Sequence, residues 1–102
     1  MKITAELIQR SNQITNALNE RQLDLRGNKI SQIENLGATL DFFECIDLSD
    51  NEIRKFTNFS YLLKLTSLIM ANNRISKITD VSDMIPNLQN LSLMTNKLLD
   101  LN

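Results

Sequence analysis

The eight residues LDLRGNKI occupy positions 23–30, and three close copies follow them along the chain. The copies read IDLSDNEI at 46–53, LIMANNRI at 68–75 and LSLMTNKL at 91–98. An asparagine stands sixth in every copy, and the intervals between Asn28, Asn51, Asn73 and Asn96 are 23, 22 and 23 residues. Self-similarity at a constant interval of this length indicates a chain built from stacked structural units.

Apolar residues keep the same register outside the eight-residue copies. Two places after the asparagines stand Ile30, Ile53, Ile75 and Leu98, and five places after them stand Ile33, Phe56, Ile78 and Leu101. The full pattern is L-x-x-L-x-L-x-x-N-x-L, which is typical of leucine-rich repeats. A helical bundle with scattered leucines, the competing interpretation, does not explain an interval held over three complete units. We therefore predict an α/β leucine-rich-repeat solenoid.

Each L-x-L pair predicts a short strand of a parallel sheet, with its leucines in the core and the intervening residues on the opposite, concave face. The chain then turns sharply and leaves backbone N–H and C=O groups inside the fold. Because an asparagine side chain offers both a donor and an acceptor to such groups, we interpret the four asparagines as a structural ladder. The segments NLGATLDFFE and NFSYLLKL predict short helical turns on the convex side.

The two ends of the chain differ from the repeats. Residues 1–20 form a predicted N-terminal cap, with a helix over 4–18 that begins at Thr4 and buries Leu7, Ile14 and Leu18. Residues 21–102 hold about three and a half repeats, so we predict one domain over 1–102 without a C-terminal cap. A solenoid does not leave its last core layer open. We therefore expect a fragment, a shortened form, or a chain whose end a partner covers.

The composition argues against catalysis. The chain has no histidine and one cysteine, Cys45, which excludes an internal disulfide and a Cys/His zinc cluster. Without a histidine to activate it, Cys45 is expected to be a small surface or half-buried residue. The only glycines are Gly27 and Gly37, and no apolar run is long enough to cross a bilayer. We predict a non-enzyme with no cofactor, no metal, no small-molecule substrate and no membrane contact.

Binding through the concave face is the function that remains. The outward strand residues that we select as partner-binding candidates are Asp24, Arg26, Asp47, Ser49, Ile69, Ala71, Ser92 and Met94. We expect one column across the strands to run Asp24, Asp47, Ile69 and Met94, with both aspartates exposed and about 5 Å apart. A partner helix with a basic end and an apolar end would satisfy such a column.

A second surface is the basic rim, which gathers six of the eleven basic residues on or just beyond the edge that follows the asparagines. Its members are Lys29, Arg54, Lys55, Arg74, Lys77 and Lys97. A rim of this kind could meet nucleic-acid phosphates with salt-sensitive affinity, although a solvated face that keeps the protein soluble explains the same charges. No aromatic residues are interleaved with the basic ones, which argues against the binding of single-stranded bases.

Several longer phrases resemble one family. They are ITAELI at 3–8, TNA at 15–17, LDLRGNKI at 23–30, IENLGATLD at 33–41, DNEIRKF at 50–56 and NNRI at 72–75. They resemble the A-prime proteins of the U-two small nuclear ribonucleoprotein, nuclear components of the spliceosome. IENLGATLD is the most specific phrase, since Glu34, Gly37 and Thr39 lie outside the core pattern. From Ile69 onward the resemblance weakens, and the family continues through a further repeat and a C-terminal cap.

The resemblance implies an adaptor rather than an enzyme. Members of this family hold one helix of the RNA-recognition-motif protein B-double-prime on the concave sheet, and together the two proteins bind a stem-loop of the U-two small nuclear RNA. The eight concave-face candidates would then meet the partner helix, the basic rim would lie near RNA phosphates, and base recognition would belong to the partner. Two alternatives stay open: a general intracellular leucine-rich-repeat scaffold with another partner, and a structural segment of a larger chain.

Overall fold

The computed structural model describes residues 2–96. The expectations for Lys97, Leu98 and Leu101 therefore lie outside the described residues. The chain begins with helix α1 at Ala5–Arg10, and a 3₁₀ turn occupies Leu36–Thr39. Within the described residues there are seven strands: β1 Asn12–Thr15, β2 Arg21–Asp24, β3 Cys45–Asp47, β4 Lys55–Phe56, β5 Ser67–Ile69, β6 Lys77–Ile78 and β7 Asn90–Ser92.

The main sheet has five strands in the order β1-β2-β3-β5-β7. Strands β2, β3, β5 and β7 are the L-x-L segments of the four copies, and each pairs in parallel with the next. The return segments contribute a second, two-stranded parallel sheet of β4 and β6. The predicted leucine-rich-repeat solenoid with short parallel strands is therefore confirmed.

The core consists of the side chains at the inward-facing positions of the repeat. Leu23, Ile46 and Leu68 are buried at successive rungs, and the next inward position holds the buried Leu25, Leu48 and Met70. The isoleucines two places after the asparagines at 30, 53 and 75 are also fully buried. Each rung packs on the next, so the apolar side chains form one continuous column rather than separate small cores.

The convex side matches the prediction only in the first repeat. The 3₁₀ turn at Leu36–Thr39 lies within the predicted helical segment NLGATLDFFE. The second prediction was wrong, because no helix forms over 58–65 among the described residues. There the backbone bonds to the next repeat instead: the N–H of Leu62 donates to the carbonyl of Met84 at 2.9 Å. An inter-repeat bond occupies groups that a helix would have used within the segment.

The N-terminal cap is a short helix followed by a strand, so the predicted helix over 4–18 was wrong in its second half. Thr4 is the N-cap, as expected, and its hydroxyl oxygen accepts from the N–H of Leu7 at 3.1 Å. The chain then pairs β1 with β2 in antiparallel fashion. Ile14 and Leu18, expected on a buried helical face, are 51% and 71% exposed. Edge pairing satisfies the open backbone groups of β2, which a helix there could not do.

Candidate functional site

The asparagines make the hydrogen bonds that the repeat pattern predicts. The side-chain oxygen of Asn51 accepts from the backbone N–H groups of Asn28 and Ile30, both at 3.0 Å. Its amide donates back to the carbonyl of Leu25 at 3.0 Å and to that of Leu48 at 2.9 Å. One buried side chain therefore joins two successive turns of the solenoid.

The same arrangement recurs one rung later and again at the fourth copy. Asn73 accepts from the N–H of Ile53 at 3.1 Å, and Asn96 accepts from the N–H of Ile75 at 3.0 Å. Asn28 differs, since within residues 2–96 its side chain bonds only to the carbonyls of Leu25 and Arg26 in its own repeat. The ladder is thus a connection from each repeat to the one before it, and the first repeat has none before it.

Each ladder asparagine follows a residue with left-handed backbone. Gly27, Asp50, Asn72 and Thr95 have φ values of 66, 57, 58 and 57°. Glycine adopts this conformation without strain, asparagine and aspartate do so more readily than most residues, and threonine rarely does. The residue types before the first three asparagines therefore already indicated the turn, while Thr95 gave no such signal.

A second asparagine row on the convex side escaped the sequence analysis. Asn35 and Asn58 have left-handed backbone and occupy equivalent places 23 residues apart. The amide of Asn58 donates to the carbonyl of Ile33 at 3.0 Å, and that of Asn35 reaches the carbonyl of Ile3 at 3.4 Å. Their equal spacing was the signal that could have revealed them.

On the concave face, the strand pairing aligns residues in columns that run across the parallel strands. The pairing places Asp24 beside Asp47, Asp47 beside Ile69 and Ile69 beside Ser92. The expected column ending in Met94 was therefore wrong, because the fourth member is Ser92. Met94 lies two residues further along, where its carbonyl accepts from the N–H of Asn72 at 2.8 Å. It is two residues beyond the end of β7, and its side chain is 72% exposed.

The two aspartates of the column are not equally exposed, which corrects the expectation. Asp24 is half-buried, but Asp47 is only 8% exposed and lies on the floor of the concave face with the buried Ser49. Both carboxylates cap their own turns: Asp24 accepts from the N–H of Arg26 and Asp47 from that of Ser49, each at 3.0 Å. A replacement of Asp47 would therefore disturb the turn as well as the surface.

The carboxyl end of the concave face is electrostatically satisfied within the chain. The Arg26 guanidinium lies 3.2 Å from Asp50 and 4.0 Å from Asp47. The amide of Asn72 donates to Asp50 at 2.8 Å, and this bond, with that from Arg26, holds the pKa of the Asp50 carboxyl below its usual value. The hydrogen bond to Asp50, followed by the charge of Asp47, raises the pKa of Arg26.

The opposite end of the concave face holds a depression of about 450 Å³ beside Glu20. The Glu20 carboxylate accepts hydrogen bonds from Thr66, Ser67 and Asn16. Thr66 makes the largest contribution to a lowered Glu20 pKa. Cys45, expected at the surface or half-buried, is fully buried here, and burial raises the pKa of its thiol to about 11. The sulfur is therefore a protonated packing group at neutral pH.

The basic rim is divided between two depressions. Lys29 and Arg74 line one of about 440 Å³, but Asp50 and Glu52 line it with them. Arg54 and Lys55 line another of about 410 Å³, whose other lining residues are Ser31, Gln32, Ile33, Thr57 and Asn58. Lys77 pairs with Lys55 across β4 and β6, so two ammonium groups start from neighbouring backbone positions. Asp50 and Glu52 make the first depression a weaker site for anions. The second depression has no acidic residue in its lining.

Two structural features of residues 2–96 bear on other classes of function. No group of three or more histidine, cysteine, aspartate or glutamate side chains converges in a way that could hold a metal ion among these residues. In the same part of the chain, no helix has the length and apolar character needed to span a bilayer.

Stacked parallel strands, buried asparagine rungs and an open sheet face define the class of protein. The chain belongs to the leucine-rich-repeat family, whose description matches residues 1–102. The chain is similar over 99% of its length to U2 small nuclear ribonucleoprotein A' of Arabidopsis thaliana and of Homo sapiens, with 53% identity to each. It spans 41% and 40% of these relatives, about two-fifths of their length.

A solved structure shows the same fold. The chain superposes on the Drosophila melanogaster SNF/U2A' complex with a TM-score of 0.96 and 51% identity, covering 99% of this chain and 59% of the matched one. The resemblance to the A-prime proteins of the U-two particle is therefore confirmed.

Proposed function

We propose that the chain is a non-catalytic adaptor of the nuclear splicing machinery that binds an RNA-recognition-motif protein of the B-double-prime type on its concave face. The observation that carries the proposal is the open parallel sheet of a chain so similar to the U2A' relative, which was solved as a complex with SNF. Binding of the U-two small nuclear RNA stem-loop would run mainly through that partner, as the family resemblance implies.

The shape and chemistry of the concave face support a partner helix. Cys45, Asp47, Ser49 and Ser67 are buried along the middle strands, so they form a low floor. Residues that follow the outer parallel strands are more exposed: Arg26 comes after β2 and Met94 after β7. A helix that lies in a groove presents side chains at intervals of three and four to such a surface.

The face also changes character along the solenoid. The half-buried Asp24 and the charged Arg26 belong to the first repeat, while Ile69, Ala71 and Met94 belong to the third and fourth. A helix with one polar and one apolar end would match the two sides of the face. Ser92, at the end of β7, would add a small polar contact. The eight concave-face candidates, with Met94 shifted by one column, remain the proposed contact set.

The basic rim is proposed to lie near RNA phosphates rather than to bind bases. Of its two depressions, the one with Arg54 and Lys55, next to Lys77, has no acidic lining residue and favours this role. Phosphate contacts of this kind add affinity and salt dependence without sequence specificity.

The proposal is tested by a matched pair of lysine substitutions, with Drosophila melanogaster SNF as the probe and isothermal titration calorimetry as the measurement. Ile69→Lys places a charge in the middle of the concave face, and Ile78→Lys places the same charge on β6, where the side chain is already 48% exposed. We expect Ile69→Lys to weaken binding by about tenfold or more, because an unpaired charge in an interface core is costly, and Ile78→Lys to leave it unchanged.

Two results would overturn the proposal. The first is the absence of measurable SNF binding by the unaltered chain, which would favour a general leucine-rich-repeat scaffold with another partner. The second is equal affinity of the unaltered chain and Ile69→Lys, with circular dichroism showing both folded, since the concave face would then not be the contact surface.

A further inference from the structure

The depression beside Glu20 belongs to the proposed contact surface. It lies where β3, β5 and β7 begin, and Cys45, Ser67 and Asn90 are paired neighbours across these strands. A partner seated on the sheet would therefore cover its mouth.

Glu20 is the one charged residue in this lining. Its two carboxylate oxygens accept from neutral groups, the hydroxyls of Thr66 and Ser67 and the amide of Asn16. Within residues 2–96 the ion pairs all involve Arg26, at the other end of the face. The carboxylate is thus held in place without a counter-charge, and each oxygen can accept more than one hydrogen bond.

Apolar side chains form part of the wall around the carboxylate. Leu18, in the turn between β1 and β2, is 71% exposed. Ile69 on β5 is half-buried and lines the same depression. Long aliphatic stems with a charged tip pack in this way, with the methylenes on apolar surface and the charge at a polar partner.

We propose that this depression binds a lysine or arginine side chain of the partner protein, with its stem against Leu18 and Ile69 and its cationic head on Glu20. The inference rests on the proposed function, because the partner supplies the cation. It adds a fixed anchor to that function: the partner helix would place a basic residue at the amino-terminal end of the strands. At the other end of the face, by contrast, Asp47 and Asp50 already lie within 4.0 Å of the Arg26 guanidinium.

A charge-neutralising pair of substitutions tests the anchor. Glu20→Gln removes the charge with little change in shape, and Glu6→Gln makes the same change on the exposed surface of α1. In calorimetric titrations with SNF, we expect Glu20→Gln to weaken binding by roughly tenfold at low salt and by less at high salt, since screening already weakens the pair. Glu6→Gln should bind as the unaltered chain does.

A second variant covers the case in which Glu20→Gln disturbs the fold. Leu18→Lys alters an exposed residue and supplies an internal cation at the mouth of the depression, where it would compete with the partner for Glu20. We expect it to weaken binding by a similar factor, and the Glu20→Gln, Leu18→Lys double variant to be no weaker than the single ones.

Double-mutant cycles between Glu20→Gln and alanine replacements of the basic residues of SNF should show coupling to one of them. The anchor is refuted if Glu20→Gln and Leu18→Lys both keep full affinity while Ile69→Lys loses it, and the proposed function then stands. Full affinity in all three variants would refute both.

Discussion

The first and fourth repeats place leucines at equivalent positions of the main sheet, but neighbouring residues cover these leucines to different extents. Leu23 of β2 is completely buried, because β1 closes its strand edge and Ile3, Leu7 and Ile8 join it in the core. Leu91 of β7 occupies the equivalent place and is 42% exposed. Within the described residues, β7 has a paired neighbour on one side only.

The comparison shows that the same residue type at the same position of the repeat does not contribute equally to the free energy of unfolding in every repeat. A leucine in the pattern stabilises the fold in proportion to the apolar area that its neighbours remove from water. The same holds for the asparagines, since Asn51 is buried between two repeats while Asn96 is half-buried at the fourth. Position in the stack, rather than residue type, therefore sets the contribution of each rung.

The largest difference is expected from leucine truncations at the two layers. Leu23→Ala should lower the free energy of unfolding by about 3–5 kcal/mol, since it leaves a cavity in a covered layer. Leu91→Ala should lower it by about 1 kcal/mol, since much of that side chain is already in water. Urea denaturation followed by circular dichroism measures both. Equal losses would show that the fourth layer is as well covered as the first.

The asparagines provide the next test. Asn51→Ala leaves buried N–H and C=O groups of two repeats without partners, and we expect a loss of about 3 kcal/mol. Asn96→Ala exposes the corresponding groups to water, which can replace the lost bonds, and we expect about 1 kcal/mol. The same denaturation measurement applies. A larger loss for Asn96→Ala than for Asn51→Ala would contradict the assignment of buried and half-buried rungs.

The smallest effect concerns the charge of Glu20, whose carboxylate joins the turn before β2 to Thr66 and Ser67 at the start of β5. Because the folded state lowers the pKa of Glu20 from its ordinary value of 4.5, its contribution to stability is present above pH 4.5 and is lost as the pH falls through the folded value. Glu20→Gln should therefore lose stability less steeply than the unaltered chain below pH 4.5. Thermal unfolding at a series of pH values measures this, with Glu6→Gln as the control. Parallel pH profiles would show that the hydrogen bonds to Thr66 and Ser67 do not favour the ionised form.

The repeat register, the core and the asparagine bonds could be predicted because each copy of the pattern indicates them separately. Four copies place the inward residues and the rungs independently, and the inward residues of the first three copies are buried as the pattern predicts. The helix over 4–18 could not be judged in this way, since the cap occurs once. Its apolar spacing fits a helix, but the open edge of β2 made a strand more favourable after Arg10.

The candidate site was predictable in position and less so in chemistry. The concave residues follow from strand alternation alone, yet the burial of Asp47 depends on its place in a middle strand. The pairing of Arg26 with Asp50 joins residues 24 apart, and the bonds of Glu20 reach residues 46 and 47 away. No local pattern encodes such separations.

By itself, the sequence determined the fold class, the repeat interval, the core letters and the asparagine rungs, because hydrophobicity, side-chain alternation and amide hydrogen bonding are properties of each short phrase. The tertiary structure alone decided that a strand closes the first edge, that Asp47 is buried and that Glu20 has no cationic partner within residues 2–96. These features depend on which distant groups the stacking brings together, and burial and charge are settled by such neighbours.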